Sequence, residues 1–257
     1  MSGTVTYSQL GKNGRLANSL FQICATIAYA LEHKKDFVFP EWRYSKYMKR
    51  PLPIGTVQVE RIYNEPTYHY TPIPYFDGNA DLSGCYAQST RYFEKYINEI
   101  LSYITIKDEY VAYIWGKYKK YLSKPCCSVH VRHGDYLTSP HLEWHGVLSE
   151  NYYEEAVFRL YGKNYDEIIF LIFSDDLDWC RENFHFAKQL VVEGEEDIID
   201  LFMGARCNDH IIANSSFSWW QSYLGNRSGR TVAPKKWFGE KTPLDTRDLY
   251  LKEWIKI

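Results

Sequence analysis

Between residues 127 and 233, short apolar runs alternate with amphipathic stretches without a break, and this alternation restricts the fold more than anything else in the chain. Strand-length runs at 127–131, 168–173, 190–192, 211–213 and 231–233 are separated by helix-like stretches at 151–160, 177–183, 197–206 and 218–224. Strands that alternate with helices form a parallel sheet with right-handed crossovers. The chain opens in a related way. Residues 5–10 read as a strand and Gly11-Lys12-Asn13-Gly14 as a turn. Leu16, Leu20, Cys24, Ile27 and Leu31 then mark one face of a long helix ending near His33, and a short strand follows at 37–39. Ser123-Lys124-Pro125 reads as a boundary. The expectation is therefore an α/β protein of two Rossmann-like domains, 1–123 and 124–257, facing a cleft. Residues 41–79 are rich in Pro, Tyr and charge and lack periodicity. That is too long for an ordinary connection, so the stretch carries function or packs as irregular structure. A strand at 81–87 and helices at 91–103 and 108–121 complete the first half.

With 257 residues there is room for one large domain or two of about 120–130 each. A net charge of −2 gives no global field for nucleic acid or anionic lipid, so an anionic ligand has to be held by a few local groups. No apolar run approaches the ~18–20 residues of a membrane helix, and residues 1–10 lack a signal pattern. A soluble, cytoplasmic protein is expected. Its six cysteines (Cys24, Cys85, Cys126, Cys127, Cys180 and Cys207) would then be reduced and mostly buried, and its two glycosylation sequons, at Asn214 and Asn226, unmodified.

Two loops leave the carboxyl ends of expected strands, where open α/β sheets bind ligands. The first, His-Val-Arg-His-Gly-Asp-Tyr-Leu at 130–137, supplies a guanidinium, which gives paired hydrogen bonds to a phosphate and never loses its proton. Arg132 reads equally as a phosphate ligand and as a strand-end arginine paired to Asp135. The second, Ile-Ala-Asn-Ser-Ser-Phe-Ser-Trp-Trp-Gln at 212–221, offers Ser216 and Ser218 as helix caps, with N–H groups and a positive dipole end behind them. Trp219 and Trp220 read as core. Together the loops make a place for a diphosphate. Phe173-Ser174-Asp175-Asp176 ends another strand. A carboxylate there suits the N1–H and N2–H donors of guanine or caps the next helix, with Asp176 the better cap. Asp176-Leu177-Asp178 has the form of a metal-binding Asp-x-Asp, but Asp178 falls on the helix, and no metal ligand set is expected. His141-Leu142-Glu143-Trp144-His145 has its glutamate misplaced for a zinc-protease motif, and Pro140 and Gly146 bracket it against helix formation.

His-x-Arg-x-Gly-Asp-Tyr and Asn-Ser-Ser-Phe-Ser-Trp-Trp resemble two motifs of the α-1,2-fucosyltransferase family. The similarity extends to residues 14–22, 82–93, 145–156, 200–207 and 232–238. Three positions depart from it. His133 stands where the family has a second arginine, and Ala17 and Ser19 stand where it has Gly and Gln. The resemblance implies a GT-B fold, GDP-β-L-fucose as donor, transfer with inversion to a sugar hydroxyl in an α-1,2 linkage, and no required metal or other cofactor. It assigns donor contacts to Asn18, His130, Arg132, Asp175, Ser216, Phe217 and Ser218. It makes Arg132 catalytic. The base for the acceptor hydroxyl has to lie within reach of it, and Asp135, His141, Glu143 and His145 all fall in the loop after the first motif; Glu143 is the choice, with Asp135 orienting Arg132 or the loop, and a purely structural role stays open for both. Two alternatives stay open: another GDP-deoxyhexose or a protein acceptor on the same fold, and a non-catalytic nucleotide-sugar or glycan-binding module. The implied partners are a GDP-sugar and a carbohydrate acceptor, with no nucleic acid and no membrane span. Nothing in the sequence specifies an oligomeric state.

Overall fold

The computed structural model describes residues 3–138, 141–225, 229–242 and 244–257, and of Asp135 and His141 the backbone alone. The Asn226 sequon lies outside these residues. The chain divides into two compact units, Met1–Val111 with Leu244–Tyr250, and Ala112–Pro243 with Leu251–Ile257.

The first unit contains strands β1 (Thr4–Thr6), β2 (Asp36–Val38), β3 (Arg61–Asn64) and β4 (Ala80–Gly84), with helices α1 (Leu16–Glu32) and α2 (Ile97–Ile104). The strands form a parallel sheet in the order β2-β1-β4-β3. Fourteen residues of α1 are buried, Gln22, Thr26 and Ser19 among them. Residues 41–79 are not wholly irregular, because β3 pairs with β4 along the sheet edge. Its side chains are mostly exposed, so no apolar pattern announced it. The stretch 91–103, expected to be one helix, instead forms two 3-10 turns, Thr90–Tyr92 and Glu94–Tyr96, before α2.

Helix α3 (Asp108–Leu122) carries the chain into the second unit. There β5 (Cys126–Val131), α4 (His141–His145), α5 (Glu150–Tyr161), β6 (Ile169–Ser174), α6 (Leu177–Asn183), β7 (Gln189–Val191), α7 (Asp197–Gly204), β8 (Asp209–Ile211), α8 (Ser216–Leu224), β9 (Thr231–Ala233) and β10 (Ile255–Lys256) follow in order. All pairings are parallel, in the order β10-β9-β8-β5-β6-β7. Every residue of β5 and nearly every residue of β6 is buried, as strands covered on both faces require. Val129, Val131, Phe170, Ile172, Ile211 and Val232 form a core with Tyr153, Ala156, Val157 and Leu160 of α5. Trp219 and Trp220 are fully buried, and all six cysteines are buried free thiols. No helix among the described residues is long and apolar enough to cross a membrane.

The stretch bracketed by Pro140 and Gly146, expected to be non-helical, forms the five-residue α4, closed by the Gly146 N–H donating to the Leu142 carbonyl at 3.1 Å.

Candidate functional site

In the second unit the strand order reverses between β5 and β8. These neighbours run parallel in the register Cys127↔Asp209 to Val129↔Ile211, so their following loops leave the same end of the sheet. Arg132 leaves β5, Asn214 and the start of α8 leave β8, and Asp175 leaves β6. Contacts join all three loops. The Arg132 guanidinium pairs with the Asp175 carboxylate, which also accepts from the His133 N–H at 3.0 Å. The His130 ring stacks on Phe217 with centroids 5.2 Å apart. The Tyr136 hydroxyl donates to the Asn214 carbonyl at 3.2 Å, and the Arg132 guanidinium lies over the Tyr136 ring, 5.0 Å from its centre.

Motif chemistry explains this local arrangement. A methyl group on Gly134 would overlap the Asp175 carboxylate, so only glycine lets the β5 loop pass that close. Burial pushes the His130 imidazole down to about 4, which keeps the ring neutral and stacked. His133 does not replace the family's second arginine as a surface charge. Its ring is buried, bonded through Nδ1 to Asp176 at 3.3 Å and packed edge-on against Trp179 at 4.4 Å. Asp176 also caps α6 by accepting from the Trp179 N–H at 3.2 Å, while Asp178 pairs with Arg181 at 3.0 Å. Asp176 is thereby taken up by the helix cap and His133, and Asp178 by an exposed pair with Arg181.

Helix α8 starts at Ser216, two residues before the expected helix. Its cap is accordingly Ser215, whose side chain accepts from the Phe217 N–H, and not Ser216 or Ser218. Ser216 and Phe217 are half-buried in the first turn, while Ser218 is fully buried with its hydroxyl donating to the Ala213 and Ser215 carbonyls, each at 3.2 Å. The Asn214 carboxamide donates to the carbonyls of His145 at 2.7 Å, Gly146 at 3.3 Å and Trp237 at 3.1 Å. It ties α4 to the start of α8, and His145 stacks on Tyr136 at 4.3 Å. Glu143, on α4, is exposed and pairs with Lys241 at 2.8 Å. Asp135 lies on the 3-10 turn Gly134–Leu137, and its side chain is outside the described residues.

Sequence reasoning missed Asp200 on α7. The Gln221 side chain of α8 donates to the Asp200 carbonyl at 3.2 Å. The Asp200 Oδ1 is buried with no hydrogen-bond partner among the described residues, and so is the Gln221 Oε1. Burial, reinforced by the charges of Glu195 and Asp197, pushes the Asp200 carboxyl up to about 7. A carboxylate with a buried, unsatisfied oxygen beside α8 is a functional candidate. Its sequence signal is faint, since an aspartate on an amphipathic helix is ordinary.

Asn18 lies in the first unit, in the opening turn of α1, and its Oδ1 accepts from Gln88 Nε2 at 2.9 Å. Among the described residues no group of three or more His, Cys, Asp or Glu side chains is placed to hold a metal ion.

The family model described as Glycosyl transferase family 11 matches residues 13–257. An alpha-1,2-colitosyltransferase of Escherichia coli is 36% identical over 137 residues, which cover 51% of this chain and 47% of the relative. Galactoside alpha-(1,2)-fucosyltransferase 2 of Oryctolagus cuniculus is 25% identical over 272 residues, covering 95% and 75%. The chain spans about half the length of the first curated relatives it matches, 47% and 44%. Among solved structures, the alpha-1,6-fucosyltransferase NodZ of Bradyrhizobium, soaked with GDP-fucose, superposes with a TM-score of 0.59 at 16% identity, covering 88% of this chain and 93% of that one. POFUT1 in complex with GDP-fucose gives 0.52 at 13% identity, covering 90% and 97%. These likenesses are of fold, and they place the chain in the α/β, GT-B-like class expected from its sequence.

Proposed function

The chain belongs to glycosyl transferase family 11, and from that premise we propose that it transfers L-fucose from GDP-β-L-fucose to a sugar hydroxyl, forming an α-1,2 linkage with inversion. The observation that carries the reading is the convergence of Arg132, the positive end of α8 and Asp175 at the switch point of one parallel sheet. In a single displacement the acceptor oxygen attacks the anomeric carbon as the bond to the diphosphate breaks, so negative charge grows on the leaving GDP. Arg132 neutralises it, and the Ser216 hydroxyl and first-turn amides of α8 through Ser218 seat the phosphate oxygens. His130 and Phe217, stacked on each other, hold the two loops in register for that grip. These groups belong to the chain itself, so no divalent metal is required, and a chelator leaves the rate unchanged. Glu143 is the base candidate and Asp135 the loop-orienting one.

Guanine presents two adjacent donors, N1–H and N2–H, that call for a carboxylate. Asp175 already accepts from Arg132 and from the His133 N–H, whereas the Asp200 Oδ1 has no partner among the described residues. Asp200 therefore joins Asp175 as a reader of the base. The colitosyltransferase among the relatives favours a second reading, in which the transferred sugar is another deoxyhexose on the same GDP carrier.

Incubation with GDP-fucose and a panel of saccharides, read by mass spectrometry, tests the proposal. The expected product gains one fucosyl mass, and Arg132→Ala lowers turnover about 10²–10³-fold with the fold intact. GDP binding without any product would support a non-catalytic module instead.

A further inference from the structure

We infer that Gln221 and Gly204 are positioning residues that hold Asp200 at a fixed reach from the first turn of α8 and so set the preference for guanine; this rests on Asp200 being a reader of the base. Gln221 lies on α8 and is fully buried. Its Nε2 crosses to α7 and donates to the Asp200 carbonyl at 3.2 Å. The way is open because residue 204 is glycine. A methyl group there would overlap the Gln221 amide nitrogen, and the three nearest atoms to it all belong to Gln221. Gly204 ends α7 without a positive φ, so its own backbone does not call for glycine, which is a poor helix former. Space for the Gln221 carboxamide accounts for it. Asp200 and Gly204 are four residues apart, one above the other on the side of α7 that Gln221 meets.

Gln221 holds the backbone of Asp200 and leaves the carboxylate to the ligand. The Asp200 Oδ1 is buried with no hydrogen-bond partner among the described residues, and so is the Gln221 Oε1. An amide buried whole with its oxygen unpaired is costlier than an apolar side chain of the same size, so its place here depends on what its nitrogen does. With no partner steering the Asp200 Oδ1, its position follows the backbone that carries it, and that backbone is tied to α8. The first turn of α8 is the proposed seat of the phosphates. Base and diphosphate of one nucleotide are joined through a ribose of limited reach. A base reader on α7 and a phosphate seat on α8 therefore act together only while the two helices keep their spacing. The contact of Gln221 with Gly204 and Asp200 keeps it.

The test compares GDP with inosine diphosphate, whose base lacks only the 2-amino group of guanine, and with GMP, by titration calorimetry on the whole chain. Wild type is expected to bind GDP about tenfold more tightly than inosine diphosphate, and Asp200→Ala to lose that margin. Gln221→Met keeps the volume and loses the amide donor, and Gly204→Ala pushes the amide aside. Each should bring the margin below about threefold while the preference for GDP over GMP stays near wild type. Gly204→Ala combined with Gln221→Ala should be no worse than Gln221→Ala alone, because the added methyl then has nothing to displace. Should Gln221→Met fail to fold, Gly204→Ala carries the same comparison. An undiminished margin in these variants, additive losses in the double variant, or a parallel fall in the preference for GDP over GMP overturns the inference. A margin that Asp200→Ala abolishes and Gln221→Met keeps overturns it alone. A wild type that does not distinguish GDP from inosine diphosphate overturns it together with the reading of Asp200.

Discussion

The two units are both parallel α/β sheets, yet aromatic packing adds to the polar contacts that hold the loops of the second, while the clasps described for the first are polar. In the second unit β5 and β6 are buried almost throughout, and aromatic packing sets the loops: His130 on Phe217, Tyr136 on His145, His133 on Trp179. In the first unit no strand is as long as β5 or β6, and polar side chains do the same work. Asp81 accepts from the Ser8 N–H and hydroxyl and from the Ser83 N–H and hydroxyl, joining the loop after β1 to β4. Glu65 fastens Tyr86, Ala87 and Tyr92 in the same manner. Packing tolerates no change of volume, whereas a polar clasp tolerates volume and fails when its charge or donor is lost.

The comparison can be broken first where packing is densest. Trp219→Ala in the second unit should cost about 3–5 kcal/mol of stability, measured by denaturant unfolding. Asp81→Ala in the first should cost about 1–3 kcal/mol, and an equal or larger loss there would reverse the ranking. Gly134→Ala sharpens it further. Its methyl displaces the Asp175 carboxylate and with it Arg132, so turnover should fall about 10²-fold while melting temperature changes little. Unchanged turnover would mean that the close approach at Gly134 has no bearing on the reaction.

The smallest effect concerns pH. The Asp200 carboxyl keeps its proton in the folded chain up to about 7, while the unfolded chain loses it near the ordinary 3.8. Between those values the folded state binds more protons, so this group makes stability fall as pH rises. Asp200→Asn removes that dependence. Its melting temperature relative to wild type should climb from pH 3.8 to about 7 and level off above, and a constant difference would contradict the assignment.

Legibility followed the same divide. The sheet of the second unit was readable because strands buried on both faces are continuous apolar runs, as in β5 and β6. The Trp219–Trp220 pair and the Asp176 cap were readable because they are local. The edge strand β3 has an exposed face and no apolar pattern, and β10 is two residues long. Helix α4 owes its shape to Asn214, distant in sequence, and to the Gly239 N–H donating to the Trp144 carbonyl at 2.7 Å. The described ion pair of Arg132 is with Asp175, where reading along the chain had offered Asp135 as the neighbour. His133 and Asp200 take their roles from burial, which no short motif encodes.

Binding of GDP and of GMP to the wild-type chain and to Arg132→Ala, measured by titration calorimetry, tests the proposed diphosphate grip most directly. The wild type should bind GDP at least about tenfold more tightly than GMP, a difference of about 1.4 kcal/mol, and Arg132→Ala should erase that preference. Equal affinity for the two nucleotides in the wild type, or an undiminished preference in Arg132→Ala, would contradict a diphosphate held between Arg132 and the start of α8.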